Sequence, residues 1–203
     1  MTAPSSLPET GALTGHRTAH GDFILSAEEL REITAFTVAA AREALSIFED
    51  ACPTDPRPRQ AIEAAQLVVD GATRSRIQRL AAPAAHRAAK LAPSAAAYHA
   101  AMAAGDAGAS MYLHPLARAS QVAHILRAPA HAACAWEHAA SHGSSQAALE
   151  RAVERATPML MAVLMRYPRA ANSTSRVSDY MAHLDAALRD AAVGGNLGSG
   201  ARA

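Results

Sequence analysis

Apolar residues recur every three or four positions between residues 26 and 51, which places them along one face of a single helix. Ser26 followed by Glu29 forms a capping box, and Leu25 with Leu30 supplies the flanking hydrophobic staple. We therefore expect a helix that begins here and ends near residue 51. Its inward face comprises Leu30, Ile33, Phe36, Thr37, Ala40, Ala41, Ala44, Leu45 and Phe48.

Helical signals continue through most of the chain, and no run alternates with period two for long enough to form a strand. Half of the residues are hydrophobic but only 4% are aromatic, so alanine, a strong helix former, carries most of that class. The predicted fold is all-α, a single-domain bundle of about seven or eight Ala-rich helices. Further helices are expected at about 58–70, 73–91, 94–104, within 106–142, from Ser144 or Ser145 onward, and at 176–192.

Glycines and prolines set the expected helix boundaries. Gly71 should end the second helix and Gly105 the fourth, with Asp106 capping the helix that follows. Pro129, like Pro115, marks either a kink or the first turn of a new helix. We also expect a bend at Pro83, a junction between helices at Pro93 and Ser94, and a helix break at Pro158.

The chain length of 203 residues supports one domain, which we place at residues 23–192. Residues 1–22 and 193–203 are rich in small and polar residues with few large apolar anchors, so both are expected to be disordered tails. Within the domain, the larger apolar residues should form the core, because alanine buries little area. We expect the core to contain Phe36, Phe48, Ile62, Leu67, Ile77, Leu80, Met111, Ile125, Leu126, Trp136, Leu160, Leu164, Leu184 and Leu188.

Charge and cysteine usage narrow the class of protein. The net charge is only +1, without the strong positive field of a nucleic-acid binder, and no stretch approaches the roughly 20 apolar residues of a membrane span. The N-terminus lacks a secretory signal, and Cys52 and Cys134 lie far apart with no metal-ligand spacing. We predict a cytoplasmic protein with no nucleic-acid or membrane partner. Alanine stripes permit a helix-to-helix dimer and a monomer equally.

The segment DPRPRQAIEAAQ, residues 55–66, combines two prolines with several charges. Pro58 is suited to the first helical position, and it should push Arg57 into an extended conformation. Arg59 then falls in the first turn, where the helix dipole disfavours a cation, and its spacing to Glu63 is the weaker i, i+4 orientation. We infer that these charged side chains reach other elements, as structural ion pairs, or a partner, as a functional surface.

The stretches LSIFEDACPTDPRPRQAIEAAQLVVDG and AYHAAMAAGDAGASMYLHPLARASQVAHIL resemble a bacterial family of immunity proteins labelled immunity protein five-like. The resemblance covers about residues 27–142. It implies an all-helical protein that neutralises a toxin by stoichiometric binding, without turnover. It places Asp55, Arg57, Pro58, Arg59 and Glu63 on the shared motif. The chain departs from the family pattern at residue 106, where aspartate replaces a histidine of an A-G-H-A segment.

A second set of residues suggests a different function, that of a small-molecule binder or an enzyme. Tyr98, His99, Asp106, Tyr112 and His114 would form one pocket if their helices ran antiparallel, which suits ligand binding or acid–base chemistry. No nucleophile elbow, phosphate loop or paired-carboxylate signature accompanies them, so we assign no catalytic residue and no cofactor. Toxin binding is the favoured prediction, with an acidic or mixed contact surface near residues 49–63.

Several of the ten histidines have spacings that a metal site could use. His124, His131 and His138 are seven residues apart, and His138 with His142 forms an HxxxH pair. The glutamate of the HExxH motif is missing, because Ala139 follows His138. Pro129 should also interrupt the helix that would align the first of them. We predict no metal site.

Overall fold

The computed structural model describes residues 23–139, 144–171 and 173–199. These residues form eight α-helices and no strand, so the all-α prediction is confirmed. None of the described helices is long and apolar enough to cross a bilayer. The helices are α1 Ala27–Ala51, α2 Arg57–Val69, α3 Arg76–Ala89, α4 Ala95–Ser110, α5 Ala123–Ala139, α6 Ser144–Arg155, α7 Pro158–Leu164 and α8 Arg176–Ser199, with a 3-10 turn at Ala119–Val122 before α5.

Side-chain caps fix the helix starts where the sequence predicts them. Ser26 and Glu29 exchange hydrogen bonds with each other's backbone N–H groups at 2.8 and 3.1 Å, which confirms the capping box. The hydroxyl oxygens of Ser94 and Thr157 accept bonds from the first turns of α4 and α7 in the same way. Gly71 follows α2 with φ of +100°, a left-handed conformation that glycine adopts without strain.

The predicted end of α4 at Gly105 is wrong, and Asp106 does not cap a new helix. The helix continues to Ser110 because this glycine serves a close approach between helices rather than a chain reversal. A Cβ atom at position 105 would lie 2.1 Å from Cδ2 of His86 in α3. Asp106 is therefore held inside the helix and is buried.

Other boundaries also differ from the sequence prediction. Pro129 lies inside α5, which runs without a break from Ala123 to Ala139. The last helix extends to Ser199, beyond the predicted end near residue 192. The prediction of a disordered tail at residues 1–22 lies outside the described residues, as do residues 200–203 of the second predicted tail.

The core consists of two clusters of buried side chains that share α1 and α5. The first cluster lies among the five helices from α1 through α5. It is mostly alanine, and its large members include Leu45, Phe48, Ile62 and Met111. The second cluster joins α1 to α5, α6, α7 and α8 through larger aliphatic side chains, among them Leu160 and Leu184. The core therefore has an alanine-rich half, the first cluster, and a half with larger side chains, the second cluster.

Most of the expected core residues are buried, but four are not. Trp136 is half-buried against the second cluster. Leu67, Ile77 and Leu80 are exposed, at 47%, 62% and 55% of their surfaces. Burial was predicted for these three because they are the largest apolar residues of α2 and α3. For Ile77 and Leu80, the close approach of α3 to α4 excludes side chains of that size from the interface.

Candidate functional site

The proline corner at residues 52–59 folds differently from the sequence prediction. Arg57 is the first residue of α2 rather than an extended residue before it, and Pro58 is the second. Among the residues that the structure describes, the Arg57 side chain pairs with Asp55 alone, with Nε donating to Oδ1 at 2.8 Å. This hydrogen bond holds the pKa of the Asp55 carboxyl below its usual value. Arg57 therefore closes its own turn and does not reach another element.

The second arginine of the corner connects two helices. Arg59 donates from Nε and NH2 to the two carboxylate oxygens of Glu49, at 2.6 and 2.7 Å, and so ties the start of α2 to the end of α1. Such a bidentate pair fixes geometry better than a single contact. Glu63 is exposed and forms no ion pair within the described ranges, so its carboxylate is available to solvent or a partner.

An apolar groove runs between α2 and α3 beside this corner. It encloses about 640 Å³, and three large apolar side chains wall it: Leu67, Ile77 and Leu80. Glu63 and Gln60 lie on the α2 edge of the groove, and Ala81 and Ala84 extend its α3 wall. Glu63 thereby belongs both to this groove and to a smaller one, of about 360 Å³, that contains Glu49 and Arg59.

Close packing on the inner side of α3 explains why its large apolar residues face outward. The buried positions of α3 are alanines and Gln78, whose Nε2 donates to the Ala64 carbonyl at 3.2 Å. A Cβ atom at Gly108 of α4 would lie 3.1 Å from Cβ of Ala82. The helices α3 and α4 lie so close together that an isoleucine or leucine side chain does not fit between them. The apolar stripe of α3 is therefore on the surface.

A polar cluster lies at the junction of α3, α4 and α5. Asp106 of α4 is its centre and is only 6% exposed. One carboxylate oxygen lies 3.3 Å from His86 Nε2 and 3.6 Å from Arg127 NH1, and the other lies 3.7 Å from His131 Nε2. Within the described residues, Asp106 Oδ2 and His86 Nε2 make no hydrogen bond. Three basic side chains thus surround one buried carboxyl group.

The cluster continues towards the surface through a second histidine. Nδ1 of His131 and Nδ1 of His99 are 2.8 Å apart, so one ring donates a proton that the other accepts. The far side of His99 stacks on the exposed His138 ring, with centroids 5.5 Å apart and planes at 5°. Tyr98 packs edge-on against His99 and His131. A continuous row of rings therefore links the buried carboxyl group to solvent.

Burial determines the protonation of the inner histidines. It lowers the pKa of His131 to about 4, against the raising effect of the Asp106 carboxylate. Burial also lowers the pKa of His99, helped by the charge on His138. The pair is therefore neutral at physiological pH, and the hydrogen bond between the two Nδ1 atoms requires at least its accepting ring to be neutral. A neutral His131 next to Asp106 is suited to holding helices together.

The structure brings together three of the five residues predicted to form a pocket. Tyr98, His99 and Asp106 meet in the polar cluster, but Tyr112 and His114 do not join it. The Tyr112 ring lies under the Arg74 guanidinium at 5.9 Å. The backbone N–H of His114 donates to Gln121 at 3.0 Å, and its side chain is exposed.

Sequence reasoning missed two members of the cluster, His86 and Arg127, because they belong to no motif. His131 and His138 were weighed as metal ligands and predicted not to bind metal, but their place in this cluster was not predicted. The available signal was the spacing: His99 and Asp106 are seven apart on α4, as are His131 and His138 on α5. No group of three or more His, Cys, Asp or Glu side chains in the described ranges is arranged to hold a metal ion. His142 lies outside those ranges.

His124 and the two cysteines have structural roles. His124 Nδ1 lies 3.2 Å from the Ala109 carbonyl oxygen and binds α5 to α4. Both cysteines are free thiols, with Cys134 buried and Cys52 half-buried. Burial raises the pKa of Cys134 to about 12, so this thiol is not a nucleophile near neutral pH.

A sequence model of the family described as "Imm-5 like putative immunity protein" matches residues 24–158, which include α1 to α6, the corner, the groove and the polar cluster. No curated protein and no solved structure matches the chain.

Proposed function

The chain belongs to the Imm-5 like family of immunity proteins, and from this we propose that it neutralises a cognate bacterial toxin by forming a stoichiometric complex without turnover. We propose that the contact surface lies on α2 and α3 together with the charged segment at residues 49–63. The two free thiols suit a reducing cytoplasm, which is where we propose that the complex forms.

The groove between α2 and α3 is the observation that carries this proposal. Leu67, Ile77 and Leu80 are exposed next to one another and together wall a single groove. A contiguous apolar patch with a polar rim is typical of a protein-binding surface. Glu63 and the Glu49–Arg59 pair supply such a rim on the α2 side.

The polar cluster supports binding rather than catalysis as the main activity. Asp106 and His131 are only 6% and 5% exposed, and each faces basic or aromatic side chains from neighbouring helices. A general base must come within hydrogen-bond distance of the proton it removes from a substrate. The cluster is better suited to fixing α4 against α3 and α5.

Titration with a candidate toxin, the product of the adjacent gene, tests the proposal. Purified chain should abolish toxin activity linearly, with complete inhibition at one equivalent, because each complex removes one toxin molecule. Co-expression should restore growth to cells that express the toxin. Inhibition at far below one equivalent would show turnover, and the absence of both binding and inhibition would contradict the proposal.

A small-molecule ligand is the second candidate, favoured by a separate cavity between α3 and α4. This cavity encloses about 410 Å³ and has Arg79, His86 and Tyr112 on an otherwise apolar lining of alanine and proline. A few polar groups on an apolar wall are typical of ligand sites. Native mass spectrometry of gently purified protein should then show a bound mass that His86→Ala removes, and a Tyr98→Phe variant serves as the control.

A further inference from the structure

We infer that the groove between α2 and α3 binds an acidic amphipathic helix of a partner protein. The inference rests on the proposed function, since the toxin would supply that helix, and it adds the chemistry and the shape of the contacting segment. It follows from the apolar wall of the groove, from the charge of α3 and from the poor fit of other occupants.

The dimensions and the lining of the groove suit a helix. The α2 wall extends from Gln60 to Leu67, and the α3 wall from Ile77 to Ala84. Each wall is therefore about 10 Å long, or two helical turns. A partner helix with apolar residues at i, i+3 or i+4, and i+7 would place them against Leu67, Ile77 and Leu80.

The α3 side of the groove is strongly basic, whereas the α2 side carries the Glu63 carboxylate. Residues 57–91 contain seven basic residues and only two acidic ones, although the whole chain has a net charge of +1. Five of the seven are exposed and form no ion pair within the described ranges: Arg74, Arg76, Arg79, Arg87 and Lys90. A partner that approaches α3 must therefore be acidic for the charges to attract.

Helix stability does not explain these cations. Arg76 and Arg79 lie in the first turn of α3, where the helix dipole favours acids, and that turn contains no acidic residue. Nor does internal packing explain them, because both side chains are exposed. Their placement beside Ile77 and Leu80 is accounted for by a partner surface that combines acids with apolar side chains.

Other occupants fit the same features poorly. In a symmetric dimer through this face, the cations of the two α3 helices would meet only Glu63 and Asp70 of each copy, so the interface would hold an excess of positive charge. An anionic bilayer would accept the arginines, but Leu67, Ile77 and Leu80 line a groove that a helix can fill and a flat surface cannot. Nucleic acid would leave the exposed apolar walls without a partner. An acidic helix satisfies both the charge and the shape.

Matched variants of the full chain test the inference in binding measurements with the toxin from the adjacent gene. Ile77→Ser combined with Leu80→Ser should raise Kd about 30-fold or more, because both side chains would lie at the centre of the contact. Arg76→Glu combined with Arg79→Glu should raise Kd about 10-fold or more and remove its dependence on salt concentration. The two introduced glutamates should also stabilise α3, because they lie in its first turn, where the helix dipole favours negative charge.

Equivalent changes elsewhere provide controls. Arg118→Glu with Arg169→Glu reverses two exposed arginines that form no ion pair within the described ranges. Ile24→Ser with Val193→Ser removes two exposed apolar side chains away from the groove. Both pairs should leave Kd within about 2-fold of the parent chain. Circular dichroism of all variants should show the helical content of the parent.

The contacting segment can be identified directly by placing a photoreactive benzoylphenylalanine at position 80, in place of Leu80. The cross-linked toxin peptide should be helical and rich in Asp and Glu. A basic or extended segment would overturn the inference, as would binding of the toxin-free chain to phosphatidylglycerol vesicles through the groove.

The failures of the two proposals are distinguishable. If the parent chain neither binds nor inhibits the toxin, the proposed function is wrong and the inference falls with it. If the parent chain binds but the groove variants bind equally well, the inference is wrong and the proposed function stands.

Discussion

The two halves of the core bury side chains of different size. In the first cluster, α2, α3 and α4 meet mainly through alanine, which lets helix axes approach closely. In the second, α7 and α8 meet through large residues such as Leu160, Leu184 and Leu188, each with no exposed surface. Where the interface is shallow, large apolar side chains must turn outward, as Ile77 and Leu80 of α3 do. The exposed groove is therefore a consequence of alanine packing.

The largest predicted effect is a contrast between two leucines in the two halves. Leu184→Ala should lower the free energy of unfolding by about 2–5 kcal/mol, because it opens a cavity in the second cluster. Leu80→Ala should change it by no more than about 0.5 kcal/mol, because that side chain is already in water. Urea unfolding followed by circular dichroism measures both. Equal costs would mean that α3 buries its apolar stripe in solution.

Acidic pH should destabilise the alanine-rich first cluster before it destabilises the second cluster. The folded-state pKa of His131 is about 4, below the usual 6.5, so the unfolded chain takes up a proton first as pH falls. The stabilising contribution is complete above pH 6.5 and is lost as pH falls towards about 4, with a loss of up to about 3 kcal/mol. His99 shifts in the same direction, and the facing groups are Asp106, Arg127 and His86.

Hydrogen exchange at a series of pH values tests this prediction. Amides of α4 should lose protection between pH 6.5 and 4 before those of α8 do. His131→Gln should flatten the pH dependence of unfolding, whereas His183→Gln, at an exposed position of α8, should leave it unchanged. Simultaneous loss in both halves would show that the histidine cluster does not act locally.

Enlarging a buried alanine tests how tightly the first cluster is packed. Ala85 of α3 has no exposed surface, so Ala85→Leu should lower the free energy of unfolding by about 1–3 kcal/mol through overpacking. The same enlargement at the exposed Ala139 of α5 should be nearly neutral. Chemical denaturation of the two variants compares them. A neutral or stabilising Ala85→Leu would reveal unused space between the helices.

The smallest predicted effect concerns Gly105 and its sign depends on His86. Gly105→Ala should destabilise by about 1 kcal/mol, because the new methyl group displaces the His86 ring from Asp106. In a His86→Ala background the same change should instead stabilise by about 0.5–1 kcal/mol, through the better helix propensity of alanine. A double-mutant cycle in urea measures the reversal. The same sign in both backgrounds would rule out the contact as its cause.

Much of the local structure was predictable because its cause lies within a few residues. The capping box at Ser26 and Glu29, the left-handed Gly71 and the start of α7 at Pro158 each depend on neighbouring residues only. Predictions failed where a distant element decides. Gly105 has the composition of a helix end, but the His86 ring requires it inside α4.

The candidate sites show the same difference between features set by nearby residues and features set by distant ones. The resemblance of the corner motif to an immunity family was visible in the residues and is confirmed by the family match. The partners of its charges were not, since Arg57 turns back to Asp55 while Arg59 reaches Glu49 on another helix. The roles of Tyr98, His99, Asp106, Tyr112 and His114 in any binding event stay predictions.

Helix propensity, capping and three-to-four periodicity act along a single stretch of chain, so the residues alone specify a bundle of alanine-rich helices. Which face of each helix is buried depends on contacts between helices that are distant in the chain. Periodicity identifies an apolar stripe but not the depth of the interface that receives it. Ile77 and Leu80 form such a stripe, and the close contact of Ala82 with Gly108 leaves no room for it inside.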